Sequence, residues 1–259
     1  MNTDTENLRA PAISSTTTGS LPLDSKRLIS LPYDSSRLFS IMNPVFVAGQ
    51  GLVVQFIGSN PGEGVSTITR DFALTAAQYT NEPVLLLDFD WGRDSHFTYF
   101  QQAFKQQSLN IDLESTLNLS VDVSPLIGLS GPSGTVSPLT FHHLPGIGLI
   151  LGRTSLALRA MPERTPCILS QPNIWDELRS HFILTVVDSP PSNQSYDGIV
   201  LSGSMDAVVL VVRAESTRRP VVENLRDRLI AQGAPLVGLV LNQRRFYIPK
   251  LVYRFLERL

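Results

Sequence analysis

Apolar residues in this chain gather in short unbroken runs, at 52–57, 83–88, 147–151, 182–188, 207–212 and 236–241. They are continuous and do not alternate with polar residues, the mark of strands covered on both faces, as in a parallel sheet. The segments between several of them change to helical spacing. Ile68, Phe72, Ala73 and Ala76 share one face, as do Ile174, Trp175 and Leu178. Pro220 is placed to open a helix carrying Val221, Val222, Leu225 and Leu229, and Gly233 to close it. Looser spacing from Leu31 to Asn43 predicts a short helix ahead of the first strand. Strand, helix and strand in this order predict an α/β fold, a doubly wound, mainly parallel sheet with right-handed crossovers. Residues 1–30, rich in Ser, Thr, Asn and Asp, read as a flexible tail, and 31–259 as a single domain. Gly, Pro and Ser in 120–146 predict an irregular insertion.

Composition narrows the class. With 259 residues, 42% of them hydrophobic, the chain is long enough for a substantial core. A net charge of −2 offers no general attraction to nucleic acid or to an anionic membrane. The lone cysteine, Cys167, rules out an intrachain disulfide framework. No basic start followed by an apolar core marks a signal peptide, and no apolar run approaches the ~20 residues of a membrane span. A cytoplasmic protein is expected, brought to a membrane only by a partner.

The candidate chemistry lies at strand ends. After the first apolar run comes Ser59-Asn60-Pro61-Gly62-Glu63-Gly64-Val65-Ser66-Thr67, and then a helix. This is the layout of a P-loop, in which backbone N–H groups and a helix N-terminus wrap phosphates. Val65 stands where the phosphate-binding lysine belongs. Ser66 keeps the hydroxyl that reaches Mg²⁺, and Thr67 is placed for the α-phosphate. Taken alone, the segment reads equally as an ordinary Gly-rich turn.

Asp88 and Asp90 end the second run on one side, because strand side chains alternate with period two. Asp188 ends the fourth, before Ser189-Pro190-Pro191, in the manner of a Walker B acid. At the carboxyl edge of a parallel sheet these carboxylates face the usual ligand crevice. Asn242 follows the last run and reads either as a contact to a nucleotide base or as a turn residue. The histidines show no metal-site spacing; His96 and His181 are isolated, and His142 and His143 fall in the irregular region.

These elements in this order resemble the bacterial tyrosine kinases (BY-kinases), cytoplasmic P-loop domains that work with membrane chain-length regulators in capsule and exopolysaccharide export. The similarity rests on the P-loop segment, on Leu86-Leu87-Asp88-Phe89-Asp90 and Val187-Asp188-Ser189-Pro190-Pro191, on Asp206 to Arg213 and on Gly238 to Asn242. It spans roughly 33–255. It implies a P-loop fold shared with partition ATPases, with ATP or ADP and Mg²⁺ as cofactors. It implies Ser66, Asp88 and Asp188 around the metal, and Asp88, Asp90 and Asp188 as catalytic acids. The nucleotide would sit on Pro61, Gly62, Glu63, Gly64, Val65, Ser66 and Thr67, near Asn242. The implied partner is a membrane-embedded polysaccharide export or synthase protein, with homo-oligomers in prospect and no nucleic acid.

Four departures bear on activity. Val65 replaces the lysine. The arginine expected after the acid pair is Gly92, with Arg93 one place on. The oligomerising Glu-x-x-Arg-x-x-Arg pattern is Asp34-x-x-Arg37-x-x-Ser40, and only Tyr247 and Tyr253 remain of a terminal tyrosine cluster. The expectation is a degenerate, kinase-like regulator or scaffold with weak or no ATP turnover. The alternatives are an active ATPase or tyrosine autokinase in which Arg70 or Arg93 replaces the lysine, and a partition-type positioning ATPase.

Overall fold

The computed structural model describes residues 33–42, 50–80, 82–89, 94–106, 116–117, 139–144, 146–154 and 172–244. The tail expected over 1–30, Asp90, Gly92, Arg93, Cys167, Tyr247 and Tyr253 lie outside the described residues. Eight strands form one sheet: β1 (Leu52–Gly58), β2 (Val84–Asp88), β3 (Thr116–Leu117), β4 (Leu139–Leu144), β5 (Leu149–Thr154), β6 (Leu184–Asp188), β7 (Ala207–Arg213) and β8 (Leu236–Asn242). Their order is β3-β4-β5-β2-β6-β1-β7-β8. All neighbours from β5 to β8 run parallel, whereas β3, β4 and β5 pair antiparallel. The fold is thus the expected doubly wound, mainly parallel α/β sheet, and each of the six apolar runs contributes a strand.

The insertion expected over 120–146 needs correction at its end, because 139–144 forms β4. Leu139, Phe141 and Leu144 are buried there. His142 is buried too, its ring edge-on to Phe97 at 5.1 Å. Two adjacent histidines mask the apolar character of the strand, so composition gave the wrong reading.

Two apolar layers enclose the sheet. On one face, Val53, Ile57, Leu85, Leu87 and Val187 meet helices α4 (Pro172–His181), α5 (Asp197–Leu201) and α6 (Arg219–Ala231), which supply Trp175, Ile199, Leu225 and Leu229. On the other, Val54, Phe56, Leu86 and Val186 meet α1 (Tyr33–Met42), α2 (Val65–Tyr79) and α3 (Ser95–Gln106). Phe72 of α2 packs at 5.2 Å from Phe56, and Phe39 of α1 at 5.9 Å from Phe72. Pairs of this kind contribute about 0.5–1.5 kcal/mol beyond their buried area. At the edge of the sheet, Val237, Leu239 and Leu241 of β8 are exposed.

A polar clamp fixes the entry to β1. Asp206 Oδ2 accepts the Val53 N–H at 2.8 Å and Arg179 Nε at 3.0 Å, while Oδ1 accepts Arg179 Nη2 at 3.1 Å. The bidentate pair ties α4 to the β1–β7 junction. Asp206→Ala leaves both donors without their acceptor, and a loss of about 1.5–3 kcal/mol is expected in urea unfolding. Asp71 of α2 supplies a pH dependence. Loss of hydration holds its carboxyl above the usual range, and Arg70 offsets this in part. A raised folded-state value means that its stabilising contribution is present at acid pH and fades as pH rises through that value. Asp71→Asn is therefore expected to raise Tm at neutral pH and to have little effect below about pH 4.

Candidate functional site

The loop between β1 and α2 is built as an anion cradle. Gly62 and Gly64 have φ of 81° and 89°, the left-handed region that an L side chain resists. Gly64 is required twice over, since a Cβ there would overlap the Asn242 amide. The loop's carbonyls are drawn outward by donors from other elements. Gly58 O accepts the Ser192 N–H at 3.0 Å and Ser59 O the Asn193 N–H at 3.1 Å. Gly62 O accepts Gln243 Nε2 at 3.1 Å and Glu63 O accepts Asn242 Nδ2 at 2.9 Å. The N–H groups in the first turn of α2 have no intrahelical partners. With the helix dipole behind them, they offer donors at the position where the sequence predicts a phosphate.

A buried carboxyl group lies on the underside of the loop. Glu63 is 2% exposed. Its Oε2 accepts the Ser59 N–H at 2.7 Å, and its Oε1 accepts Thr217 Oγ1 at 2.5 Å and Asn60 Nδ2 at 3.2 Å. Val65, which opens α2, is buried in the apolar layer below. A Cβ at Gly58 would meet Val65 Cγ2 at 2.8 Å and Glu63 Oε2 at 2.5 Å, so the glycine makes room for both. Arg70 does not stand in for the lysine: its guanidinium lies 3.7 Å above the Tyr99 ring of α3. Ser66 is half-buried at the start of α2, and Thr67 is exposed.

The acid pair follows from strand register. Asp88 of β2 and Asp188 of β6 are direct partners in the parallel ladder. They sit two residues beyond Leu86 and Val186, and so on the face covered by α2 and α3. Asp88 is 4% exposed and Asp188 1%. The first residues of α3 close over them. Asp88 Oδ2 accepts the Ser95 hydroxyl and the His96 N–H, each at 3.3 Å. The His96 ring, fully buried, brings Nε2 to 2.9 Å from Asp188 Oδ2.

His96 is the site residue that the sequence concealed. Reading it as isolated is corrected by the fold, which carries α3 back across the ends of β2 and β6. A polar Ser95-His96 pair opening a helix shortly after a strand-end aspartate was the available signal. Asn242, expected near a base, has its amide on the Glu63 carbonyl, and its Oδ1 accepts the Gln243 N–H at 2.8 Å. The described parts thus bring together the loop, Asp88, Asp188 and Asn242.

The loop's backbone fits an anion such as a phosphate, whereas its side chains supply no cation among the described residues. Asp88 and Asp188 offer carboxylate oxygens to a metal ion, with His96 adding a nitrogen. Because Glu63 holds the loop from below, Glu63→Ala is expected to lower stability by about 1.5–3 kcal/mol. The same variant should speed amide hydrogen exchange at Ser59, whereas distant β5 amides keep their wild-type ordering.

No family model matches the chain. Among curated proteins, it is 24% identical over 208 residues to the tyrosine-protein kinase CpsD of Streptococcus agalactiae, covering 78% of this chain and 79% of that protein. Among solved structures, the VpsO kinase domain aligns with a TM-score of 0.57 and 24% identity, over 86% of this chain and 98% of that domain. A plasmid partition protein of Borrelia burgdorferi bound to AMPPNP aligns with a TM-score of 0.51 and 17% identity, over 80% and 81%. The chain is thus similar over most of its length to bacterial tyrosine-protein kinases, on a fold shared with partition proteins.

Proposed function

We propose that this protein is a kinase-like P-loop domain that regulates or scaffolds exopolysaccharide synthesis or export, with weak or no ATP turnover. One observation carries the reading: the residue at the lysine position is packed into the core while a buried carboxylate braces the loop from beneath. Phosphoryl transfer depends on positioning and on neutralising developing charge, so the loss falls on the main catalytic contribution. Nucleotide is held, if weakly, by backbone amides and the α2 dipole, with Ser66, Asp88 and Asp188 toward Mg²⁺. The magnesium, when bound, screens phosphate charge. Asp88 is the candidate acceptor for a hydroxyl proton, and Asp188 orders the metal's surroundings. The partner is a membrane-embedded polysaccharide export or synthase protein, in keeping with the resemblance, and it brings the chain to the inner membrane face.

Calorimetric titration with ATP and ADP, with and without magnesium, tests the reading. Weak binding and no phosphate release are expected from the wild type. Val65→Lys restores a charge-assisted contact of about 1.5–3 kcal/mol and should tighten ATP binding by roughly ten- to a hundred-fold. Wild-type turnover of Mg-ATP that disappears in Asp88→Ala would overturn the pseudoenzyme and favour a working kinase or ATPase.

A further inference from the structure

Asp88, His96 and Asp188 each present a ligand atom, and these atoms lie within 4.8 Å of one another. All three residues are buried, at 4%, 0% and 1% exposure. Strand register forces the two carboxylates together, and Asp188 pairs with the His96 imidazole. Among the described residues, Asp188 Oδ1 is buried with no hydrogen-bond partner. Leaving such an oxygen buried and unbonded carries a desolvation cost, larger when the group is charged. A cation bound between the three side chains removes that cost.

The donor set selects the cation. Magnesium prefers oxygen ligands and retains several waters, which a dry cluster containing a nitrogen ligand does not favour. One imidazole nitrogen with two carboxylates suits the borderline divalent ions of the Zn²⁺ and Co²⁺ type. Bonds of about 2.0–2.2 Å place neighbouring ligand atoms roughly 2.8–3.6 Å apart at octahedral to tetrahedral angles. The Nε2 to Oδ2 separation of 2.9 Å already falls in that range. The contacts from Ser95 and His96 to Asp88, both 3.3 Å, are long for hydrogen bonds.

We propose that Asp88, His96 and Asp188 form a site for a borderline divalent transition-metal ion, filled without nucleotide. The site shares two acids with the nucleotide reading but does not rest on it, since the metal alone is the probe.

The test uses the untagged full chain carrying Cys167→Ser, stripped of metal and titrated with Co²⁺ while its visible absorption is followed. The expected result is a saturable one-to-one band, displaced by stoichiometric Zn²⁺ and insensitive to a large excess of Mg²⁺. His96→Gln and Asp188→Asn should each weaken Co²⁺ binding at least about tenfold. His143→Gln, at an exposed position of β4, should leave it unchanged. Absence of a saturable band, a band that survives His96→Gln, or displacement by Mg²⁺ as readily as by Zn²⁺ overturns the site. Circular dichroism checks that the variants fold. Should His96→Gln not fold, ring-nitrogen NMR of the parent chain decides: a Zn²⁺-induced shift of the His96 Nε2 resonance supports the site, and an unmoved resonance overturns it.

Discussion

Two carboxylates stand side by side in the dry interior because β2 and β6 run parallel in a register that pairs Asp88 with Asp188. Burying two adjacent carboxyl groups is among the more costly arrangements a fold can hold. The chain compensates by bringing in α3, whose first N–H and hydroxyl groups point at one acid and whose histidine meets the other. The positive end of the helix dipole lies on the same side. The position of α3 thereby follows from the electrostatics of the strand ends as well as from Phe100 and Phe104 beneath it.

The loop next to this pair shows a second redistribution of charge. Its shape is kept by backbone means: two glycines at positive φ, outward carbonyls, and the start of a helix. What has changed is the side-chain inventory. An aliphatic group now joins the core at the position where a P-loop carries an ammonium, and the nearest guanidinium along the helix stacks on Tyr99.

How much of this could be read in the chain depended on range. The unbroken runs announced the parallel strands, because burial on both faces leaves no polar alternation. Gly62, Gly64, Asp88 and Asp188 were legible as candidates through local sequence. β4 escaped because His142 occupies a core position with a polar label. His96 escaped because its partner Asp188 lies 92 positions further on, and the local signal pointed only to Asp88. The tie from Thr217 to Glu63 spans 154 residues and is invisible for the same reason. Asn242, expected near a base, lies beside the loop, where its amide donates to the Glu63 carbonyl.

Four carbonyls of the loop are pinned by residues from the β6–α5 connection and from the end of β8 and its following turn. A free loop must surrender about 1–2 kcal/mol of conformational entropy for each residue it orders around a guest. Here that ordering belongs to folding itself, so an incoming anion meets a finished mould. Affinity then reflects hydration lost by the guest against the dipoles it finds, and differences between guests should arise from size and charge, with little contribution from rearrangement of the host.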